Sequence, residues 1–386
     1  MSDTSILEPL QTRGSIAELV ISSPRDEYDE RSKAAAIVQS NHARLGESED
    51  AEILASSERQ PLISVIITNY NYQEFLDTSI KSVIDQTYKN VECIVVDDGS
   101  EDNSRNIIAQ YNNIKSIFKT NGGQGSAINA GVELARGDII ISLDADDFLY
   151  PQACEIIADN WQPGIICLNY RLDVFHHNEK TKYYYPKENF VTDNFRFLNK
   201  YGYYPSAPMS GNAFDAAYIT FVLNNAAFLD NNGVDAYLLY CAPALGKGAF
   251  VDMSLGGYRR HGNNISMSSF KKTESNLTEH IYYQYWAQQN FQRFARERNL
   301  PVKQRNYVLG AYNRMWQLWV ADGDGATRKI PCDSRRMLCL LTAYSFAFEP
   351  GIELKTRLKN ICYSVLSLAL PKAARLKIQR RFMEYG

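Results

Sequence analysis

Gly137-Asp-Ile-Ile-Ile-Ser-Leu-Asp-Ala-Asp-Asp-Phe148 decides the fold. Asp138 to Leu143 is an apolar, β-branched run behind a glycine, which reads as a buried strand. It ends abruptly in Asp144, Asp146 and Asp147. Carboxylates crowded at the end of a buried strand repel one another and lose hydration, a cost usually met by a cation or a cationic ligand. Oxygen-only ligands select a hard ion, Mg2+ or Mn2+, which keeps positions open for phosphate oxygens. The competing reading of an isolated Asp-x-Asp is a solvated turn that caps a helix, so the decision rests on what precedes it.

What precedes it is a regular alternation. Leu62 to Thr68 reads as a strand and Gln73 to Gln86 as a helix with apolar residues at Phe75, Leu76, Ile80, Val83 and Ile84. Val91 to Val96 is a strand ending at Asp97-Asp98-Gly99-Ser100, Glu101 to Tyr111 a helix, Ser116 to Lys119 a short strand, and Gly123 to Ala135 a helix. This order predicts an α/β domain with a mostly parallel sheet. In such sheets ligands bind beyond the carboxyl ends of the strands. Asn69-Tyr70-Asn71, Asp97-Asp98 and Asp144 to Asp147 all follow strand ends, so three polar clusters should meet on one edge.

Farther on, Gly164 to Leu168 predicts a strand, Phe175 to Tyr185 a hairpin, and Leu255 to His261 a strand leading into Gly262-Asn263-Asn264. From Thr273 onward, aromatic and aliphatic residues recur at helical spacing. The expected domains are a polar, acidic, partly disordered extension over 1–59, the α/β domain over 60–266, and a helical C-terminal region over 267–386.

Bulk properties restrict the functional classes. With Lys+Arg 41 against Asp+Glu 44, the net charge of −3 gives no basic excess that would make nucleic acid the main partner. Seven cysteines without a Cys-x-x-Cys pair argue against a disulfide scaffold or a zinc site and for a reducing compartment. No leader-like stretch opens the sequence, and the apolar run Ile361 to Leu370 falls short of the roughly 20 residues that span a bilayer. A cytoplasmic location, peripheral on the inner membrane face, is expected. Between Lys355 and Arg381 eight basic residues, set against Glu353 and Glu384, give about +6 to a tail that can lie on an anionic membrane.

Ile63-Ser-Val-Ile-Ile-Thr-Asn-Tyr-Asn71, Val95-Val-Asp-Asp-Gly-Ser100, Asn121-Gly-Gly-Gln-Gly-Ser-Ala-Ile-Asn-Ala-Gly131 and Leu143-Asp-Ala-Asp-Asp147 together resemble the family-2 inverting glycosyltransferases of the GT-A fold. The likeness covers roughly 61–265, and its motifs fall in register over 85 residues, 63–147. It implies a nucleotide-diphosphate-sugar donor and a saccharide or lipid-linked saccharide acceptor. Thr68, Asn69, Tyr70, Asp97 and Asp98 would receive the base and ribose, with Tyr70 available for stacking. Asp146 would bind the metal directly, Asp144 would serve ribose or metal, and Asp147 the nearby backbone. Tyr258-Arg-Arg-His-Gly-Asn263 resembles the family's closing segment, which gives Arg259 to the diphosphate and His261 to the metal. The catalytic base of such an enzyme comes from an acidic dyad, and Asp235 stands in its place with Val234 where the preceding Glu is usual.

Two related architectures are excluded. A dinucleotide-binding dehydrogenase needs Gly-x-Gly-x-x-Gly directly after its first strand, where this chain has Asn69-Tyr70-Asn71-Tyr72. A sugar nucleotidyltransferase needs a glycine-rich basic loop at that same turn. The remaining alternative of another class is a non-catalytic scaffold that binds nucleotide sugars or glycans.

Overall fold

A computed structural model describes residues 60–176, 178–187, 193–226, 233–261, 274–303, 314–315, 318–319, 335–348 and 352–385. The expected extension over 1–59 lies outside the described residues. The elements in chain order are β1 (Ile63–Asn69), α1 (Gln73–Ile84), β2 (Val91–Asp97), α2 (Ser104–Ile108), β3 (Lys115–Phe118), α3 (Gly123–Leu134) and β4 (Ile139–Asp144). There follow β5 (Phe148–Leu149), α4 (Ala153–Asn160), β6 (Ile165–His176), β7 (Glu179–Tyr185), α5 (Asn194–Tyr201), β8 (Asn212–Asp215), α6 (Ala216–Asn224), α7 (Val234–Leu245) and β9 (Lys247–Arg260). Helices α8 (Glu274–Glu297), α9 (Arg335–Phe348), α10 (Leu354–Leu366) and α11 (Lys372–Tyr385) complete the described chain.

The strands form one nine-stranded sheet in the order β3-β2-β1-β4-β8-β6-β9-β5, with β7 paired to β6. Neighbours from β3 to β4 are parallel, β8 runs against both β4 and β6, and β9 runs parallel to β6. The expected α/β class with a mostly parallel sheet and a helical C-terminal region is therefore what forms. Register explains the site. Asn69 lies level with Asp97, and Thr68 lies level with Asp144, so β1, β2 and β4 end together.

Both faces of the parallel half of the sheet are covered, as near-continuous apolar strands require. Side chains of β1 alternate: Ile66 joins Ile94, Ile128 and Ile140 beneath α3, while Val65 and Ile67 join Val95, Ile141, Leu76 and Ile80 beneath α1. Helix α8 contributes Phe291 and Phe294 to the first of these cores, where they meet Tyr237 and Cys241 of α7. A smaller cluster, including Ile281, Trp319, Leu338, Phe346 and Tyr363, joins α8 to α9 and α10. No helix among the described residues is long and apolar enough to cross a membrane.

Two elements differ from expectation. The helix expected over Glu101 to Tyr111 is shorter, as α2: it starts later because Asp102 accepts hydrogen bonds from the backbone N–H groups of Ser104 (3.0 Å) and Gln73 (2.9 Å), and it gives way to turn bonds from Gln110 and Tyr111 at its other end. Such local side-chain bonds compete with the helix. The strand expected over Gly164 to Leu168 continues to His176 through polar positions that break the apolar run but find partners inside. Asp173 accepts from the Tyr150 hydroxyl at 2.6 Å and from the Ser254 hydroxyl at 2.9 Å, and Arg171 pairs with Asp252.

Helix α3 approaches the sheet so closely that a Cβ on Gly131 would lie 2.3 Å from Ile66 Cγ2. Gly131→Ala should therefore destabilise the domain by about 1–3 kcal/mol through overpacking, despite the better helix propensity of alanine. Urea denaturation would measure the loss, and an unchanged midpoint would contradict this packing.

Candidate active site

The polar ends of β1 and β2 are tied together before any ligand is considered. Asn69 Nδ2 donates to Asp97 Oδ1 and Ser100 Oγ, each at 3.0 Å. Asn71, in the left-handed region with φ 59°, donates its N–H to Ser100 Oγ (2.9 Å) and accepts from Glu101 N–H (2.8 Å). Gly99 turns with φ +83°, and a Cβ there would meet the Asn121 nitrogen at 2.7 Å, so glycine lets the loop before α3 close over β2.

Asp98 is buried and fixes that loop. Its carboxylate pairs with Lys119 Nζ and accepts the N–H groups of Gly122 (3.0 Å) and Gly123 (2.8 Å) at the start of α3. Buried Asp97 receives Arg105 Nε at 3.2 Å. The donor-side candidates thus fall into two groups. Asn69, Asp97 and Asp98 are engaged with neighbouring protein groups, while Tyr70 is exposed at the mouth. Thr68 lies between the two clusters, its hydroxyl 3.4 Å from Asp144 Oδ1.

At the end of β4, one oxygen from each of Asp144, Asp146 and Asp147 lies within 4.8 Å of the others, a grouping that can hold a metal ion. Each carboxylate is held differently. Asp144 accepts Gln124 Nε2 at 2.9 Å, and its N–H donates to Ser210 Oγ at 3.1 Å. Asp146 Oδ2 lies 3.0 Å from His261 Nε2. Asp147 Oδ1 accepts the Arg259 N–H at 2.9 Å.

Strand β9 closes this edge. Its buried Arg259 donates Nη1 to the Asp146 carbonyl at 2.8 Å and stands 4.6 Å from the Phe148 ring centroid and 5.4 Å from that of Phe75. The His261 ring stacks on Phe75 at 4.7 Å and meets the edge of Tyr72 at 5.6 Å.

Crowding changes the acidity of these groups. Burial, then the Asp146 carboxylate and more weakly that of Asp235, push Asp144 up to about 7 against the opposing hydrogen bond from Gln124. Burial, Asp146 and Asp144 hold Asp147 well above the usual carboxylate range. Burial, Asp146 and Asp144 raise the Tyr72 phenol. An all-oxygen cluster with one imidazole beside it, and with two carboxyls held against ionisation, suits a hard divalent cation.

Asp235 sits half-buried in the first turn of α7, where it accepts the Ala236 N–H at 2.6 Å. Burial raises its carboxyl above the ordinary range. Its carboxylate is also among the charges that raise Asp144. Val234, at the position where the resemblance expects a Glu, is fully buried in the apolar core, which favours an apolar side chain there.

Sequence reasoning did not single out Lys119, Gln124, Ser210 or Tyr72. Lys119 follows β3 directly, so the strand-end rule that selected Asp97 could have found it. Gln124 opens α3 between two glycines and faces the same edge. Ser210 carried no local signal.

A family model described as glycosyl transferase family 2 matches residues 64–216. An uncharacterized glycosyltransferase of Nostoc sp. (strain PCC 7120) is 35% identical over 227 residues, 55% of this chain and 68% of that protein. The chondroitin synthase of Escherichia coli is 37% identical over 115 residues, 29% of this chain but only 17% of that protein. Among solved structures, S. aureus TarS 1-349 in complex with UDP aligns with a TM-score of 0.44 at 14% identity, covering 84% of this chain and 93% of that one.

The raised carboxyls give a pH test. In the folded chain Asp144 and Asp147 retain protons that the unfolded chain releases near its ordinary carboxylate pKa of about 4. Their contribution to stability therefore falls as pH rises toward the folded value. A divalent cation held by these carboxylates would replace those protons, so Mn2+ should raise the melting temperature more at pH 8 than at pH 5. Thermal unfolding with Mn2+ or with chelator at both pH values tests this, and an equal shift at both would contradict it.

Proposed function

The chain belongs to glycosyl transferase family 2, and on that premise we propose a metal-dependent inverting transfer of one sugar from a nucleotide-diphosphate donor to a hydroxyl acceptor. The GT-A arrangement of the sheet accords with that membership. The observation that carries the finer reading is the meeting of Asp144, Asp146, Asp147 and His261 past the end of β4, where Asp144 is level with Thr68 and next to the Asn69–Asp97 pair.

In this reading Thr68, Asn69, Tyr70, Asp97 and Asp98 form the base and ribose end. Tyr70 offers a ring face, and the tied loops around Asn69 and Asp98 give that end a fixed shape. Asp146, with Asp144 and His261, would hold Mn2+ or Mg2+, which when bound neutralises charge on the departing diphosphate. Arg259 braces the acidic turn through the Asp146 carbonyl and adds positive charge beside the diphosphate. Asp147 anchors β9 through the Arg259 N–H.

Asp235 is the proposed base. It takes the proton of the acceptor hydroxyl as the acceptor oxygen bonds to the anomeric carbon and the bond from that carbon to the phosphate oxygen breaks. Burial makes its carboxylate a stronger base than an exposed aspartate, which suits that role. We favour a saccharide carried on a lipid as acceptor, in polysaccharide or glycoconjugate synthesis, with peripheral membrane contact through the basic C-terminal tail. A non-catalytic sugar-binding protein is the second reading, favoured by the apolar Val234 beside Asp235.

Asp146→Ala should abolish transfer and the Mn2+-dependent part of donor binding. Asp235→Asn should lower transfer by at least about a thousandfold, within the contribution typical of a general base, and leave donor binding intact. Titration calorimetry with uridine and guanosine diphosphates, with and without Mn2+, and turnover of a nucleotide-sugar panel would check both. Metal-independent binding without turnover would support the scaffold reading, and full activity in Asp235→Asn would place the base elsewhere.

A further inference from the structure

We propose that the helical pair α9–α10 docks flat on an anionic lipid surface through an exposed apolar face. The inference builds on the reading of a membrane-facing tail given above and names the surface that makes the contact; the transfer chemistry does not enter it. In α10 the usual amphipathic order is inverted. Asn360, Tyr363, Ser364 and Ser367, on or just beyond the helix, are buried, while Leu354, Leu358, Val365 and Leu366 face outward. Two of the inward polar groups bond locally, Ser364 Oγ donating to the Asn360 carbonyl at 2.8 Å and Asn360 Nδ2 to the Thr356 carbonyl at 3.0 Å.

Helix α9 repeats the pattern. Leu338, Cys339 and Phe346 pack inward, yet Met337, Leu340, Tyr344 and Phe348 recur at helical spacing on the outer side. Tyr344, Phe348 and Leu354 leave 64–70% of their surface exposed. Arg357 clamps the two helices by donating Nη1 to the Phe346 and Ala347 carbonyls, both at 2.6 Å, so the two apolar stripes belong to one packed unit. Eight large apolar side chains are thus left exposed on one packed helical pair, and an exposed apolar patch on a soluble protein marks an interaction site.

Charge selects the occupant. Residues 335–385 hold ten Lys and Arg against three Glu, in a chain that is net negative. Exposed Lys355 and Lys359 flank the α10 stripe, and exposed Lys372 and Lys377 follow on α11. A symmetric pairing with a second copy would bring these like charges together. An anionic bilayer complements them, and lysine stems beside an apolar stripe suit the headgroup boundary. Neither helix is long and apolar enough to span, which leaves an in-plane arrangement.

Co-sedimentation of the full chain with vesicles of phosphatidylcholine, alone or mixed with phosphatidylglycerol, tests the proposal. Wild type should partition at least about tenfold more strongly onto the anionic vesicles. Leu340→Glu/Leu358→Glu, at exposed positions, should lower that binding at least about tenfold while keeping the wild-type melting temperature. Lys355→Glu/Lys359→Glu gives a second, independent loss. Wild type remaining in the supernatant with anionic vesicles would overturn the proposal. So would a solution dimer that Leu340→Glu/Leu358→Glu splits, without vesicle binding by either. Binding that survives Leu340→Glu/Leu358→Glu but disappears in Lys372→Glu/Lys377→Glu would overturn the apolar face and leave the tail's charge as the contact.

Discussion

Mutual repulsion among three carboxylates at the end of β4 is the constraint on which the rest of the site depends. Burial removes the water that would otherwise screen them, and the protein answers with groups drawn from distant parts of the chain. Gln124 comes from α3, Ser210 from the turn before β8, Arg259 from β9 and His261 from just past its end. The long return of β6 and β9 therefore has a chemical purpose: without it, Asp146 and Asp147 would lose the guanidinium and imidazole beside them. The aromatic rings of Tyr72, Phe75 and Phe148 complete that support by packing on Arg259 and His261.

The parallel half of the sheet was legible because its signal is local. Leu62 to Thr68 and Asp138 to Leu143 are apolar runs bounded by polar turns, and burial on both faces is what such runs demand. The convergence of Asn69, Asp97 and Asp144 followed from strand direction alone, and register then set Asn69 level with Asp97 and Thr68 level with Asp144. The second half was less legible. Asn169, Arg171 and Asp173 interrupt the apolar pattern of β6, and for Arg171 and Asp173 partners far along the chain make that burial tolerable. Helix α2 was overestimated because Asp102 bonds to the backbone that a longer helix would need.

Side chains at the site divide in the same way. Asp144, Asp146 and Asp147 were visible in sequence as a charge anomaly, and the structure adds which neighbour each one has. Lys119 and Gln124 act across about 20 residues of chain, on Asp98 and Asp144, and no periodicity encodes such contacts. Asp235 came from resemblance. Its setting in the first turn of α7 accounts for why an acidic side chain is accommodated there, since the helix N-terminus favours negative charge.

The knot of hydrogen bonds joining Asn69, Asn71, Asp97 and Ser100 has a thermodynamic consequence. Those loops lose their conformational freedom when the domain folds, not when something arrives. A molecule binding there would surrender mainly its own rotational and translational entropy, with little further ordering asked of these loops. Tyr70, exposed beside that knot, therefore stands next to backbone whose arrangement is set by folding and not by an arriving molecule.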